Sequence, residues 1–99
     1  MIIVAGKATI KAGTQAEALA VMQTMIDATQ AEAGCISYQI YQNPYEATEF
    51  FIFEEWDSLE ALAQHFQTDH MREFSQRIPN YLVGELQIKR YDVSHDQYL

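Results

Sequence analysis

FFIFEEWDSLEALAQHFQTDH, residues Phe50 to His70, decides the fold of this chain. Side chains alternate across a strand, so Phe50, Ile52 and Trp56 point one way while Phe51 and Phe53 point the other. Both faces therefore carry large apolar groups. Asp57 or Ser58 then caps a helix, by giving a side-chain oxygen to its orphan amides, and Leu59, Leu62, Ala63 and Phe66 form the buried side. Thr68 starts a further helical turn after a break, carrying Met71, Phe74 and Ile78 inward until Pro79, which has no N–H to continue the helix.

The flanking sequence completes the pattern. Ile2 to Lys11 is rich in β-branched residues and stops at Ala12-Gly13, which predicts a first strand and a turn. Thr14, with Glu17 three residues on, has the spacing of a capping box. Leu19, Met22, Met25 or Ile26 and Thr29 then follow helical spacing, and Gly34 ends the segment. Cys35 to Gln42 predicts the second strand and Thr48 to Trp56 the third, joined by a hairpin at Asn43-Pro44. Val83 to Val93 is the last strand, and Ser94 to Leu99 a polar tail. The order is β-α-β-β-α-β, an α+β ferredoxin-like antiparallel sheet with central first and third strands and both helices on one face. The other face needs a cover: at ~25 cal/mol per Å², several bare aromatics leave several kcal/mol of burial unused. A homodimer packed sheet to sheet provides it.

Ninety-nine residues predict one domain, because a shorter piece could not bury a core of its own. Six Lys and Arg against 14 Asp and Glu give a net charge of -8, which disfavours nucleic acid and anionic membrane surfaces. No apolar run approaches the ~20 residues that span a bilayer, and the N-terminus lacks the basic start of a signal peptide. Cys35 is the only cysteine, which rules out an intrachain disulfide or a thiolate metal cluster and fits a reducing cytoplasm. With no neighbouring base to lower its pKa, Cys35 reads as inert. There is no dinucleotide-binding glycine motif, P-loop or nucleophile elbow.

His65 and His70 are the residues with most chemistry. Five positions apart, they would lie on different faces of one continuous helix, and only the break lets both approach one cavity. As a metal pair they lack a third ligand at useful spacing, and no metal or other cofactor is expected. A partly buried histidine titrates near neutrality and suits abstraction of a phenolic proton, although a helix histidine bonded to a backbone carbonyl would look the same in sequence. Glu54 and Glu55 are adjacent on a strand and face opposite sides, so they form no carboxylate pair. One of them could orient His65 or His70, or pair with Arg72 or Arg77 at the surface. Trp56 offers a flat wall with one N–H donor to an aromatic ligand, or a core anchor. Tyr38 and Tyr41 face opposite sides of their strand, and one of them can supply a hydroxyl to a pocket.

The chain resembles the antibiotic biosynthesis monooxygenase (ABM) family, which includes quinol monooxygenases. The resemblance is carried by Glu32, Gly34, Cys35 and Tyr38 in EAGCISY, Asn43-Pro44, then Phe51, Glu54, Glu55 and Trp56 in FFIFEEW, and His65, His70 and Phe74 in HFQTDHMREF. It implies a dimeric α/β barrel with a pocket in each subunit between sheet and helices. The implied activity is oxygenation of a quinol or similar aromatic without flavin, metal or haem. His65 would be the base, His70 a second catalytic group or hydrogen-bonding partner, and Trp56, Tyr38, Glu54 and Phe74 the substrate contacts. Haem-degrading members carry an asparagine where Gly6-Lys7 stand here, which points away from that branch. Another branch isomerises a small phosphorylated signalling compound, for which Lys7, Arg72 and Arg77 would have to hold the phosphate. A non-catalytic small-ligand module of the same fold is the third alternative.

Overall fold

The computed structural model describes all 99 residues, Met1–Leu99. The strands are β1 (Ile2–Thr9), β2 (Cys35–Gln42), β3 (Glu49–Trp56) and β4 (Gln87–Asp92); the helices are α1 (Gln15–Gln30), α2 (Leu59–His65) and α3 (Asp69–Arg77), the last running into a 3-10 turn at Ile78–Asn80. All strand pairs are antiparallel, in the order β2-β3-β1-β4. This is the ferredoxin-like arrangement, with β1 and β3 central as the β-α-β-β-α-β order predicts.

On β3, Phe50, Ile52, Glu54 and Trp56 are buried under the helices, whereas Phe51 is exposed on the opposite face. Pairing extends that open face to Lys7 and Tyr41 beside Phe51, and to Ala5 and Lys89 around Phe53. The core under the helices joins Ile2, Val4, Phe50 and Trp56 of the sheet to Ala18, Val21, Met22 and Met25 of α1. The α2–α3 break falls where expected. Thr68 Oγ1 donates to the His65 carbonyl at 2.7 Å and accepts from the Met71 amide at 3.2 Å, so one side chain closes one helix and caps the next. Ser58 caps α2 by accepting from the Ala61 amide at 3.1 Å.

Several local expectations are corrected. The Thr14–Glu17 capping box is not made: Thr14 has ψ 7° rather than the extended backbone of such a cap, and its hydroxyl donates to the Lys11 carbonyl in a tight turn. On α1 the inward arc is Ala18, Val21, Met22, Met25 and Thr29, so Leu19 lies outside it. On α2 the inward residues are Ala61, Leu62 and His65, while Leu59, Ala63 and Phe66 are exposed. Seven residues give too little periodicity to fix a helix's rotation, and His65 settles it by finding partners inside. β4 begins at Gln87 rather than Val83; ahead of it only an isolated Ile10–Leu82 bridge ties the chain to the end of β1.

Gly34 lets the turn before β2 pack closely against α2. It sits at φ +86°, and a Cβ there would lie 2.6 Å from the Ala61 Cβ. Gly13 has nearly the same φ, +87°, but open space around it. Both Gly→Ala changes incur the left-handed penalty of ~1–2 kcal/mol. Gly34→Ala is expected to cost at least ~1 kcal/mol more, because backbone on both sides must separate. Urea unfolding of the two variants checks this, and equal midpoints would refute it.

Candidate active site

Met25, Thr29 and Glu32 continue one face of α1 into the turn after it, which brings the Glu32 carboxylate against the end of α2 and the start of α3. There it meets both histidines. His65 Nδ1 and His70 Nε2 each lie 2.7 Å from the same oxygen, Glu32 Oε2. A carboxylate only accepts, so each of these nitrogens carries the proton and donates. Neutral His65 is thereby fixed as the Nδ1–H tautomer, with the Nε2 lone pair unprotonated and without a hydrogen-bond partner.

His65 is buried in a shell of rings. Trp56 lies with its centroid 4.8 Å away, Phe66 at 5.8 Å, and Tyr38 and His70 at 6.0 Å. Burial outweighs the Glu32 carboxylate and holds the His65 pKa below its usual value, so the neutral form dominates at pH 7. Trp56 is fully buried and donates its Nε1–H to Glu54 Oε1 at 3.0 Å. Burial likewise pushes the Glu54 carboxyl up to about 7, against the lowering effect of that hydrogen bond. Burial, with Glu54 beside it, drives the Tyr38 phenol upward, so it remains an O–H donor. Burial and nearby acids lift the Cys35 thiol to about 11, in keeping with an inert residue.

The structure therefore brings His65, His70, Trp56, Tyr38 and Glu54 into one cluster, and adds Glu32 as the residue that joins the two histidines. Neither Glu54 nor Glu55 orients a histidine: Glu54 holds Trp56, and Glu55 accepts from the Ser37 hydroxyl on the open face. Phe74 sits apart from the cluster in the α1–α3 contact, where it lines a small cavity with His70. Arg72 and Arg77 pair with Asp69 and Glu73 on α3, and Lys7 pairs with Glu49 on the far side of the sheet. No phosphate cradle is assembled from them.

Glu32 also corrects the expectation that the histidines lack a third donor. The ligand atoms of Glu32, His65 and His70 lie within 4.8 Å of one another. Donors ~2.1 Å from a tetrahedral metal stand ~3.4 Å apart, so the two 2.7 Å contacts have hydrogen-bond spacing rather than ligand spacing. The trio could hold a divalent ion only by rearranging.

None of the five principal cavities is lined by Trp56, Tyr38, Glu54 or His65. A groove of about 330 Å³ lies between α2 and β4. Leu59, Leu62, Ala63 and Phe66 form one wall, Val4 and Ile88 the other, and Lys89 and Arg90 complete the lining. Phe66, which touches both groove and His65, was expected in the core and is 55% exposed instead.

Comparison with known proteins agrees with this fold. The family model described as antibiotic biosynthesis monooxygenase matches residues 1–77. An uncharacterized Synechocystis protein, sll1783, is 38% identical over 98 residues, covering 99% of this chain and 67% of that protein. The Bacillus subtilis protein named "Putative monooxygenase YcnE" is 24% identical over 94 residues, 95% of this chain and 99% of that protein. A conserved protein from Methanosarcina mazei superposes with a TM-score of 0.87 at 30% identity, covering 91% of this chain and 89% of that one. With its matched motifs spread from β1 to α3, the chain belongs to the antibiotic biosynthesis monooxygenase family.

Proposed function

We propose that the protein is a monooxygenase of quinols or similar electron-rich aromatics, working without flavin, haem or metal, with His65 as the base. The observation that carries this reading is the shared carboxylate. Glu32 fixes the His65 tautomer with Nε2 free, and is positioned to stabilise the imidazolium formed when Nε2 takes a phenolic proton. His70, on the same oxygen, braces the carboxylate from the other side. The quinolate is then reductant enough to pass an electron to dioxygen. One oxygen atom enters the ring and the other leaves as water: quinol plus O2 gives hydroxyquinone plus H2O, with the substrate supplying all four electrons. Oxygen uptake across a panel of naphthoquinols tests the reading, and uptake no faster than the uncatalysed rate for every member would sink it. The rate is expected to survive dialysis against EDTA. Loss of activity that zinc, iron or copper restores would overturn the metal-free part of the reading.

The same reading places the protein in a reducing cytoplasm as a homodimer, joined through the open sheet face into an α/β barrel. Supporting the dimer, Tyr41, Phe51 and Tyr91 leave roughly half of their surface exposed on that face. Their burial against a second copy would release several kcal/mol at ~25 cal/mol per Å². Sedimentation at micromolar concentration is expected to give twice the 11.4 kDa chain mass, and Phe51→Glu to give the monomer. Wild-type protein sedimenting as a monomer refutes the dimer.

A further inference from the structure

Glu32 is an acid without a fixed counter-charge. The chain has only six lysines and arginines; four of them pair with Glu49, Asp69, Glu73 and Asp92, and none pairs with Glu32. What meets its carboxylate is two imidazoles, His65 Nδ1 and His70 Nε2, each 2.7 Å from Oε2. By changing tautomer, each imidazole can turn a lone pair rather than a proton toward the point where both now converge. Two imidazoles and a carboxylate are a donor set that suits zinc and its first-row neighbours, and one that hard, water-keeping magnesium does not favour.

The trio is reachable and adjustable. His65 is buried, but Glu32 keeps 13% of its side chain exposed and His70 24%, so solvent meets the trio on that side. None of the three stands in the middle of an element. His65 is the last residue of α2, His70 the second of α3, and Glu32 lies in the turn between α1 and β2. Their ligand atoms lie within 4.8 Å of one another. To reach the ~3.4 Å edge of a tetrahedral site, the two nitrogens close by up to ~1.4 Å and the carboxylate, on three rotatable bonds, withdraws by ~1–2 Å. The hydrogen bonds given up are weak beside bonds to such an ion.

We propose that Glu32, His65 and His70 together bind a divalent transition-metal ion, zinc in the first place, and that the bound ion switches the protein off. Binding by the neutral histidines releases no net proton. By exchange with solvent, His65 moves its proton from Nδ1 to Nε2 and His70 from Nε2 to Nδ1, and each freed nitrogen gives its lone pair to the ion. His65 is then blocked as a base, because the Nε2 that would take a phenolic proton already holds one. The binding site stands on its own geometry; only its inhibitory consequence rests on the oxygenase reading.

The test titrates zinc, cobalt and magnesium chlorides into the full chain after EDTA treatment, followed by calorimetry, by cobalt visible absorption and by the imidazole nitrogen shifts. Zinc is expected to bind at one ion per chain, ~100-fold or more tightly than magnesium. The nitrogen shifts should show His65 changing from its Nδ1–H to its Nε2–H tautomer. Glu32→Gln and His70→Ala should each weaken zinc by more than the ~10–100-fold that outer-shell changes cost. His95→Ala, which removes the one other histidine, in the exposed C-terminal tail, should leave zinc binding unchanged. Far-UV circular dichroism of each variant shows that it is folded. Zinc no tighter than magnesium, undiminished in His70→Ala, lost in His95→Ala, or bound without the tautomer change would overturn the site. Saturating zinc that leaves quinol oxidation unchanged, or raises it, would overturn the inhibition. Zinc bound by a chain that oxidises no quinol would sink the oxygenase reading alone, whereas quinol oxidation by a chain that takes up no zinc would sink this inference alone.

Discussion

Replacing His65 by alanine is expected to lower kcat/KM for quinol oxygenation ~10²–10⁴-fold, the usual contribution of a positioned general base. The expectation follows from a single oxygen atom. Because Glu32 Oε2 accepts from Nδ1, the basic nitrogen of His65 is Nε2, on a ring packed among Trp56, Tyr38 and Phe66. His65→Gln, which keeps the bulk and can still donate to Glu32, should be as slow as His65→Ala while remaining as stable as the wild type. That pairing separates lost base chemistry from a collapsed core. Glu32→Gln keeps the base but loses the charge that stabilises its imidazolium, and a smaller loss is expected. The base must be neutral to act, and burial holds its pKa below the ~6.5 of a free imidazole. kcat/KM should therefore be flat from pH 7 upward to the substrate's own pKa and fall on acidification, with its limb below pH 6.5. A His65→Ala enzyme of full activity, or a limb unchanged in Glu32→Gln, would refute the assignment.

The second large effect is on stability. Glu54 is buried with the Trp56 indole as its one hydrogen-bond donor, and its carboxyl titrates at about 7 rather than at the 4.5 of an unperturbed glutamic acid. Below pH 4.5 it is protonated in both folded and unfolded chains and contributes no penalty. Between 4.5 and 7 the unfolded chain ionises first, so this group removes stability progressively as pH rises, reaching ~3 kcal/mol above pH 7. His65 works in the opposite sense, since a histidine held neutral removes stability as pH falls below ~6.5. Glu54→Gln isolates the first contribution, because its amide oxygen can still accept from Trp56 and carries no charge. The difference in unfolding free energy between Glu54→Gln and wild type, followed from pH 4 to 8, is expected to grow with pH by up to ~3 kcal/mol in favour of the variant. A difference independent of pH would show that Glu54 is already satisfied as a carboxylate.

These effects also bear on why the cluster is arranged as it is. An interior holding Glu32, Glu54, His65 and His70 costs stability that an apolar core would not. Such groups gather where their pKa values must be moved, and in this cluster burial holds the His65 imidazole down and the Glu54 carboxyl up.

Much of this was readable along the chain because it depends on neighbours in sequence. Alternation across Phe50–Trp56 needs only the geometry of one strand, and it gave the second apolar face of β3. The α2–α3 break at Thr68 and the hairpin at Asn43-Pro44 are equally local. Glu32 had a weaker signal: it lies three residues beyond Thr29 in the turn that follows α1, an acid where the inward face of the helix would continue. The rotation of α2 had no readable signal. Leu59, Leu62, Ala63 and Phe66 make a plausible apolar arc, and only the pull of Glu32 and Trp56 on His65 turns that arc partly outward, opening the groove beside β4.

By itself, then, the sequence determined the element order, the two-faced third strand and the pair of histidines across a helix break, since each depends on contacts within about one turn or one hairpin, and the ferredoxin-like sheet followed from that element order. Only the tertiary structure decided which acid serves the histidines, which tautomer His65 adopts and where a ligand could enter. Those outcomes depend on residues far apart in sequence, with Glu32 33 positions from His65, and on burial, which sets the protonation state of a group only once the whole core has closed around it.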